Sequence, residues 1–436
     1  MAFRDFSAET AISRRSLLRG GAMLGGAAAL SGLPFAHSLL AQTRTSWPNV
    51  AALIDTYGDG RKLANIMAVL GWGQQAPVTI GKGNLAIGQN APVGLDSLYR
   101  VYSMTKPVTG MAVMMLIDEG RLGLDQPLAE VLPKFANMQV QRTYDGSITD
   151  LVPAERPVTI RHLLTHTAGI GYPIIQKGPI REAYMAKGVI AGQVSKLPLA
   201  QALFGRGEPV RSLAAFADNL ASLPLVYQPG TRFSYSTSID LLGRLIEVVS
   251  GQKFDAFLTE NIFKPAGMNS TWFRVPASEV GRLTTNYGVM NGVLVPLDPA
   301  RASIYLDPPA FPSGGAGLVS SPRDFDRFLR MLLGYGVIDG KRVMGELAVR
   351  VGTSNILPDT VDTKGSWIEG QGFGAGGRVT EGSFGWGGAA GTVAFVNMKA
   401  GLRASLFTQY MPSDAYPLHT AFPAAVVKDL QAMRKG

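Results

Sequence analysis

The sequence predicts an α/β protein in which one sheet-containing domain, built from both ends of the chain, carries an inserted helical region. Two strand-like segments, residues 63–70 and 77–80, lie near the start and are separated by turn residues. Two more, 392–398 and 404–409, lie near the end, and helical patterns dominate between the two pairs. Because strands at opposite ends of the chain flank a helical middle, they are expected to share one sheet.

The helices are expected in a fixed order along the chain. A short helix covers residues 50–57, and a longer apolar helix starts after Ser103 and ends before Gly120. Further helices are expected at 158–169, 216–223, 238–250, 254–262 and, closing the chain, 415–434. Two long stretches without a regular pattern, 138–157 and 171–210, are expected to be insertions near a site, since long loops seldom lack a function.

These elements divide the 436 residues into a short leading segment and one large domain. The domain is expected to cover residues 46–430. Its α/β part takes about 46–130 and 290–436, and its helical part takes about 131–289. No segment repeats at a fixed period, so a solenoid or propeller is not indicated.

The first 41 residues resemble a twin-arginine export signal. Arg14 and Arg15 precede a Gly/Ala-rich apolar run at 20–33, and a cleavage point is expected behind Ala41. The run is too short and too rich in glycine for a stable membrane span. The segment therefore predicts recognition by the export machinery and a periplasmic or secreted location.

Composition excludes several classes of function. The net charge is +9, and it falls to +7 without the four arginines and two acids of the leading segment. The remaining basic residues are scattered, which favours a solvated surface and no nucleic-acid partner. The chain has no cysteine, so disulfides, thiol catalysis and cysteine-ligated zinc are excluded together.

A serine and a lysine three residues apart form the first candidate reaction centre. Ser103 and Lys106 occupy one face at the start of the apolar helix, and Pro107 is tolerated only near such a start. A serine hydroxyl becomes a strong nucleophile when a neighbouring base removes its proton, and a buried lysine can serve as that base. Four-residue patterns of this kind are common by chance, so the pair alone equally fits an ordinary helix beginning.

Two other stretches add candidate groups. Tyr235 lies in a loop just before a predicted helix, where a tyrosine can act as a general base or proton relay. Residues 384–392 form a glycine-rich strand edge, at which a backbone N–H can approach a substrate closely. Taken singly, each also fits a structural role: a core tyrosine and a tight turn.

Together these stretches resemble the serine β-lactamase and penicillin-binding-protein superfamily. Within that superfamily, the chain most closely resembles the family VIII carboxylesterases and the class C β-lactamases. The resemblance rests on residues 99–107 (YRVYSMTKP), 235–237 (YST) and 386–388 (WGG), in that order, with support from 158–169 and 313–324. It implies an antiparallel sheet flanked by helices with an inserted helical domain, and no metal or organic cofactor.

The resemblance also implies the site residues. Ser103 would be the acylated nucleophile, and Lys106 and Tyr235 would exchange its proton and later activate water. The backbone N–H groups of Ser103 and Ala389 would form the oxyanion hole. Substrate contacts are expected from Trp386 and three further residues, namely Gly387, Gly388 and Thr237.

Departures from the superfamily pattern indicate the substrate class. The Lys-Thr-Gly and Ser-Asp-Asn motifs are absent, Trp386 replaces a lysine or histidine, and Thr237 replaces an asparagine. A site without these groups binds a β-lactam carboxylate and amide poorly. The sequence therefore predicts a carboxylesterase acting on a small-molecule ester, with a β-lactamase or a D-amino-acid peptidase or other amide hydrolase as alternatives. A non-catalytic binding protein of the same fold is the alternative of another class.

Other motifs give weaker signals. The chain lacks the Gly-x-Ser-x-Gly sequence that an α/β-hydrolase needs. His162 and His166 are four residues apart, but Leu163 stands where a zinc protease has glutamate, which favours a structural helix. Residues 372–377 fit Gly-x-Gly-x-x-Gly, but no helix is expected after them, so a dinucleotide site is not indicated.

Overall fold

The computed structural model describes residues 43–198 and 207–435. The predicted signal segment, 1–41, lies outside these residues, as do residues 199–206 of the second predicted insertion. Within the described ranges, the longest helices are too short or too polar to cross a membrane.

Helices and short strands follow one another along the whole described chain. The helices are α1 (Pro48–Tyr57), α2 (Thr105–Asp118), α3 (Ile160–Leu164), α4 (Gly178–Ala186), α5 (Leu213–Ala221), α6 (Ser238–Ser250), α7 (Phe254–Leu258), α8 (Lys264–Ala266), α9 (Pro322–Leu333), α10 (Glu346–Gly352) and α11 (Leu418–Lys435). The strands are β1 (Asn65–Trp72), β2 (Val78–Gly83), β3 (Tyr99–Arg100), β4 (Gln139–Gln141), β5 (Leu151–Pro153), β6 (Thr271–Trp272), β7 (Asn286–Met290), β8 (Val293–Asp298), β9 (Val319–Ser320), β10 (Val337–Ile338), β11 (Lys341–Arg342), β12 (Gly372–Phe373), β13 (Arg378–Thr380), β14 (Ser383–Gly387), β15 (Val393–Asn397), β16 (Leu402–Phe407) and β17 (Tyr410–Met411).

The central sheet joins the two ends of the chain. Its seven strands run in the order β12-β13-β14-β15-β16-β1-β2, and every neighbouring pair is antiparallel. The first strand of the chain therefore pairs directly with one of the last, with Met67 opposite Phe407. This pairing confirms the expectation that strands from opposite ends share one sheet.

Strand β1 is buried on both faces of the sheet, and its side chains alternate between two cores. In β1, Ile66, Ala68 and Leu70 belong to the core that includes residues of α1 and α11. Met67 and Val69 point the other way, into the larger core that α2 shares. A strand buried on both faces reads as a continuous apolar run, which is why residues 63–70 are recognisable as a strand from the sequence.

The two predicted insertions contain more regular structure than expected. The first holds the antiparallel pair β4 and β5, whose strands are only three residues long. The second holds α4, a nine-residue helix. Strands this short contain too few alternations to be detected, and α4 begins with a glycine and a proline that read as a turn.

The helix α2 lies at the centre of the molecule. Its residues from Thr105 to Leu116 are all buried, and it packs against α6 and α10. A helix that is apolar on all sides belongs in a core, and it cannot tilt without disturbing every neighbour. The N-terminal end of α2 is therefore a rigid support for the residues that precede it.

Candidate active site

A short helical turn before α2 places Ser103 beside Lys106. Ser103 lies in a 3-10 turn, Tyr102–Met104, that runs directly into α2. The Lys106 Nζ atom lies 3.2 Å from Ser103 Oγ, and the lysine side chain is fully buried. The amine also donates to the main-chain carbonyl of Gly315 at 2.7 Å. The pair has the proximity that activation of a serine by a neighbouring amine requires.

The backbone just before Ser103 is held in an unusual conformation. Tyr102 has a φ of +43°, which is unfavourable for a residue with a side chain. Arg100, two residues before Tyr102, is fully buried. It donates hydrogen bonds to Asp298 Oδ2 at 2.6 Å and to Ser303 Oγ at 3.0 Å. Because a buried guanidinium is tolerated only when its donors are satisfied, this network fixes the chain that leads into the Tyr102–Met104 turn.

Tyr235 completes a three-residue cluster around the serine hydroxyl. The Tyr235 hydroxyl lies 2.8 Å from Ser103 Oγ, and the Lys106 Nζ atom lies 4.5 Å from the centre of the Tyr235 ring. Tyr235 is only 6% exposed. The structure thus brings together the three residues that the sequence singled out, although they are up to 132 positions apart in the chain.

His166 holds the loop that presents Tyr235. The His166 carbonyl accepts the Ser234 N–H at 3.0 Å, and its Nδ1 atom accepts the Ser236 N–H at 3.2 Å. These two bonds flank Tyr235 on either side, and the two rings pack with their centres 4.8 Å apart. Burial lowers the pKa of His166 well below its ordinary value, so the neutral ring is favoured. The sequence favoured a structural role for this histidine, and its contacts are of that kind.

Asp240 is a buried carboxylate that sequence reasoning missed. Its Oδ1 atom accepts the Ser313 hydroxyl at 2.6 Å and the Gly315 N–H at 2.9 Å. Burial raises the pKa of Asp240, and the charge of Lys106 opposes that rise. The Gly315 carbonyl accepts a hydrogen bond from Lys106, and Asp240 accepts one from the Gly315 N–H. Asp240 therefore helps to hold the residue that positions the lysine amine. Its position three residues after Thr237 was the only sequence signal available.

Two backbone N–H groups at the site have no acceptor among the described residues, those of Ser103 and Ala389. Both residues are partly exposed. The segment that carries Ala389 packs tightly against the start of the Tyr102–Met104 turn, as a Cβ on Gly388 would come within 2.3 Å of the Val101 carbonyl. Position 388 therefore requires glycine. The two N–H groups, on neighbouring segments, suit stabilisation of an oxyanion.

Trp386 forms an aromatic wall beside the cluster. Its ring stacks on that of Tyr235, with centres 5.7 Å apart and planes inclined by 28°. The Arg378 guanidinium lies 5.2 Å from the centre of the Trp386 ring. Burial lowers the pKa of Arg378 to about 10. The position predicted for substrate contact is thus occupied by a flat apolar surface, and a cation lies against that surface.

Thr237 is placed differently from its expected role. The side chain is fully buried, and its hydroxyl donates to the Gly171 carbonyl at 3.1 Å. A hydroxyl engaged in this way inside the protein is not presented to a substrate. The expectation that Thr237 contacts the substrate is corrected accordingly, and its observed contact is one that holds the start of α6.

Two further aromatic residues surround Tyr235 and were missed from the sequence. Tyr172 is 8% exposed, with its ring centre 5.9 Å from that of Tyr235. Trp367 is 56% exposed, with its ring centre 5.0 Å from that of Tyr235. Both come from segments without a periodic pattern, so only the fold places them at the site.

The remaining sequence motifs have structural explanations. Gly376 lies where a Cβ would come within 2.4 Å of the Lys106 carbonyl, and strand β13 rather than a helix follows it. Gly376 therefore allows its segment to approach α2 closely. His162 forms a capping box with Thr159 at the start of α3. Groups of His, Asp or Glu suited to a metal ion do not occur in the described part of the chain.

Known proteins resemble this chain in sequence and in fold. Esterase EstB of Burkholderia gladioli is 31% identical over 353 residues, covering 73% of this chain and 78% of EstB. The structure of EstCE1, described as a hydrolase with promiscuous acyltransferase activity, is 25% identical with a TM-score of 0.68 and covers 88% of this chain and all of that one. Simvastatin synthase LovD of Aspergillus terreus shares the fold at 21% identity and a TM-score of 0.69, over 88% of this chain and 99% of LovD.

The family assignment follows from a match over most of the chain. A model of the Beta-lactamase family matches residues 50–427, which include the Tyr102–Met104 turn, the Tyr235 loop and the Trp386 strand. EstB covers more than two thirds of the chain at over 30% identity. This protein therefore belongs to the Beta-lactamase family.

Proposed function

We propose that this protein is a serine hydrolase that cleaves carboxylic esters through an acyl-enzyme on Ser103. The observation that carries the proposal is the position of Ser103 Oγ between two proton-transfer groups, 3.2 Å from Lys106 Nζ and 2.8 Å from the Tyr235 hydroxyl. Both distances lie within the reach that general base catalysis needs. The esterase relatives support the same chemistry.

The proposed reaction has two halves. The Lys106–Tyr235 pair accepts the single proton of Ser103 as its Oγ atom attacks the ester carbonyl, and the N–H groups of Ser103 and Ala389 stabilise the oxyanion. Collapse of the tetrahedral intermediate expels the alcohol, which receives the proton. Water then attacks the acyl-enzyme, assisted by the same two residues, and releases the acid and the free serine.

Esters are proposed over β-lactams because of the side chains around the hydroxyl. The described aromatic residues there are Tyr172, Trp367 and Trp386, and Thr237 is buried away from a substrate. These rings offer mainly flat apolar surface, and none of them is the asparagine or the lysine that would contact a β-lactam side-chain amide or carboxylate. The alternatives are a β-lactamase, a D-amino-acid peptidase or amide hydrolase of the same fold, and a non-catalytic binding protein.

The deciding experiment compares two chromogenic substrates. Residues 42–436 would be assayed with a short-chain p-nitrophenyl ester and with a chromogenic cephalosporin, using Ser103→Ala as the blank. Fast ester cleavage and slow cephalosporin cleavage, both lost in the variant, are expected. The reverse preference would identify a divergent β-lactamase. Absence of both activities would favour an amide substrate or a binding protein.

Acyl transfer is a second candidate because the acyl-enzyme can also react with an alcohol. EstCE1 is described as having promiscuous acyltransferase activity, and it covers 88% of this chain. If the aromatic wall shields the acyl-enzyme from water, added alcohol should compete well with hydrolysis. The ratio of ester product to acid, measured at rising alcohol concentration, tests this. If the ratio of ester product to acid merely followed the ratio of alcohol to water concentrations, it would argue against acyl transfer as a function.

We also propose export through the twin-arginine signal of residues 1–41, which rests on the sequence alone. Replacing Arg14 and Arg15 with lysine should retain the full-length precursor in the cytoplasm, because export receptors read the two arginines. Fractionation of cells that express the full chain would measure this. Equal periplasmic amounts of the wild type and the double variant would contradict the proposal.

A further inference from the structure

His419 contacts the loop that carries the proposed oxyanion donor. It lies in the first turn of α11, and its Nε2 atom is 3.2 Å from the Gly388 carbonyl and 3.0 Å from the Thr392 carbonyl. A carbonyl oxygen can only accept a hydrogen bond, so the proton of the ring must lie on Nε2. One side chain therefore donates to two main-chain groups four residues apart.

Those two groups are the ends of a closed loop. The Gly388 N–H donates to the Thr392 carbonyl at 2.7 Å, and the Gly391 N–H donates to the Gly388 carbonyl at 3.1 Å. Ala389 lies inside this loop, and its N–H has no acceptor in the described part of the chain. The direction of the Ala389 N–H is consequently set by how the two ends of the loop are held.

The surrounding residues fit the imidazole closely. A Cβ on Gly387 would lie only 3.0 Å from His419 Nε2, so glycine at this position allows the ring to reach the loop. Burial lowers the pKa of His419, the nearby Arg378 charge adds to that effect, and the hydrogen bonds to Thr392 and Gly388 oppose it. The ring is therefore held largely in its neutral form near pH 7, with its single proton engaged in both contacts.

We propose that His419 is a positioning residue, which holds the Gly388–Thr392 loop so that the Ala389 N–H points at the developing oxyanion. The proposal rests on the proposed function for the role of Ala389. His419 itself does not reach the reacting atoms, and it acts through the two carbonyls. A second contact, from the Thr408 hydroxyl to the Ala390 carbonyl at 2.7 Å, holds the middle of the loop, so the loss of His419 is expected to misalign it without unfolding it.

Two substitutions separate the hydrogen bonds from the volume of the ring. His419→Leu has a similar volume and no donor, whereas His419→Gln places an amide N–H near the position of Nε2. His419→Leu should lower kcat roughly tenfold, less than the complete loss of an oxyanion donor, with little change in KM, because the donor matters most in the transition state. His419→Gln should recover most of that loss. Binding of phenylboronic acid, whose serine adduct is tetrahedral, should weaken in parallel with kcat.

A measurement that needs no turnover keeps the two proposals apart. Amide hydrogen exchange of the peptide covering residues 386–393 should be faster in His419→Leu and close to wild type in His419→Gln. Unchanged exchange together with unchanged kcat in His419→Leu would overturn the positioning role. Equal losses in the Leu and Gln variants would overturn it too, since a mere packing defect predicts that result. A wild type without ester turnover but with the expected exchange pattern would count against the proposed function alone.

Discussion

The two sides of the candidate active site are built in different ways. On one side, Ser103 and Lys106 come from a single continuous segment, which a fully buried arginine network and the central helix α2 support. On the other side, Tyr235 and the aromatic residues around it come from four separate segments, and Trp367 among them is 56% exposed. One side is rigid and local, and the other is assembled at long range.

This difference suggests that the two sides of the site have different tasks. Groups that must keep the nucleophile within about 3 Å of its base benefit from a buried, over-determined support. Groups that receive a variable part of the substrate can lie on exposed loops. Substitutions of Ser103, Lys106 or the Tyr235 hydroxyl should therefore lower kcat, and substitution of the exposed Trp367 should change selectivity.

The largest effect is expected for Ser103→Ala. The variant removes the atom on which we propose that the acyl-enzyme forms, so kcat for a chromogenic ester should fall by at least about 10⁴-fold. The melting temperature should change little, because the hydroxyl is partly exposed. Turnover near that of the wild type would contradict the whole assignment, and mass spectrometry of a trapped acyl-enzyme gives an independent check.

Lys106→Ala should be nearly as severe. The amine is one of two groups in contact with Ser103 Oγ, and a loss of roughly 10³-fold in kcat is expected. The cavity left by a buried side chain also lowers stability, so Lys106→Met, which keeps most of the volume, is the matched control. If Lys106→Met retained wild-type kcat, another group would have to be the base.

Tyr235→Phe tests the second proton-transfer group with the smallest change. Only the hydroxyl 2.8 Å from Ser103 Oγ is lost, and the ring contacts with Trp386 and His166 are kept. We expect kcat to fall about 10²-fold with a similar KM. A variant that keeps full activity would reduce Tyr235 to a packing residue and would leave Lys106 as the sole base.

Substitution of Asp240 tests how the side of the site that carries Ser103 and Lys106 is supported. Asp240→Ala removes both bonds to the Ser313–Gly315 loop, so the carbonyl that accepts from Lys106 should move, and kcat should fall roughly tenfold to a hundredfold. Asp240→Asn retains a carbonyl oxygen at the same place and should lose less. Its melting temperature should not fall, because burial raises the pKa of Asp240 and the neutral amide avoids that cost. Equal kcat losses in both variants would contradict this positioning role.

The sequence predicted Ser103 and Lys106 from their local spacing, and the family resemblance added Tyr235 and Trp386. Residues on both sides of the site were still missed. Ser103 and Lys106 carry a spacing with a physical meaning, and residues 63–70 and 392–398 have the continuous apolar pattern of buried strands. Asp240, Tyr172 and Trp367 lie in segments whose pattern says nothing about what they contact. Their roles depend on distant chain segments meeting, such as the 73 positions between Asp240 and Ser313.

The misplacement of Thr237 has the same origin. The family pattern put a substrate contact at this position, where the resemblance implied an asparagine. A threonine side chain is shorter, and in this protein its hydroxyl reaches the Gly171 carbonyl. A position can therefore keep its place in a motif while its side chain contacts a different partner, and only the fold reveals the exchange.

Trp367 gives the smallest and most selective test of the comparison. Its half-exposed ring lies beside Tyr235 and can stack on a flat group of the substrate, a contact between aromatic rings that contributes about 0.5–1.5 kcal/mol. Trp367→Ala should thus lower kcat/KM roughly twofold to tenfold for aryl esters and leave ethyl acetate unchanged, whereas Trp367→Phe should keep most of the selectivity. Phenyl acetate and methyl benzoate are isomers with the ring on opposite sides of the ester, so the one that loses more shows which half of the substrate lies against Trp367. Equal losses for ethyl acetate and both aryl esters would mean that Trp367 supports Tyr235 instead, and the division between a catalytic and a recognition side would then fail.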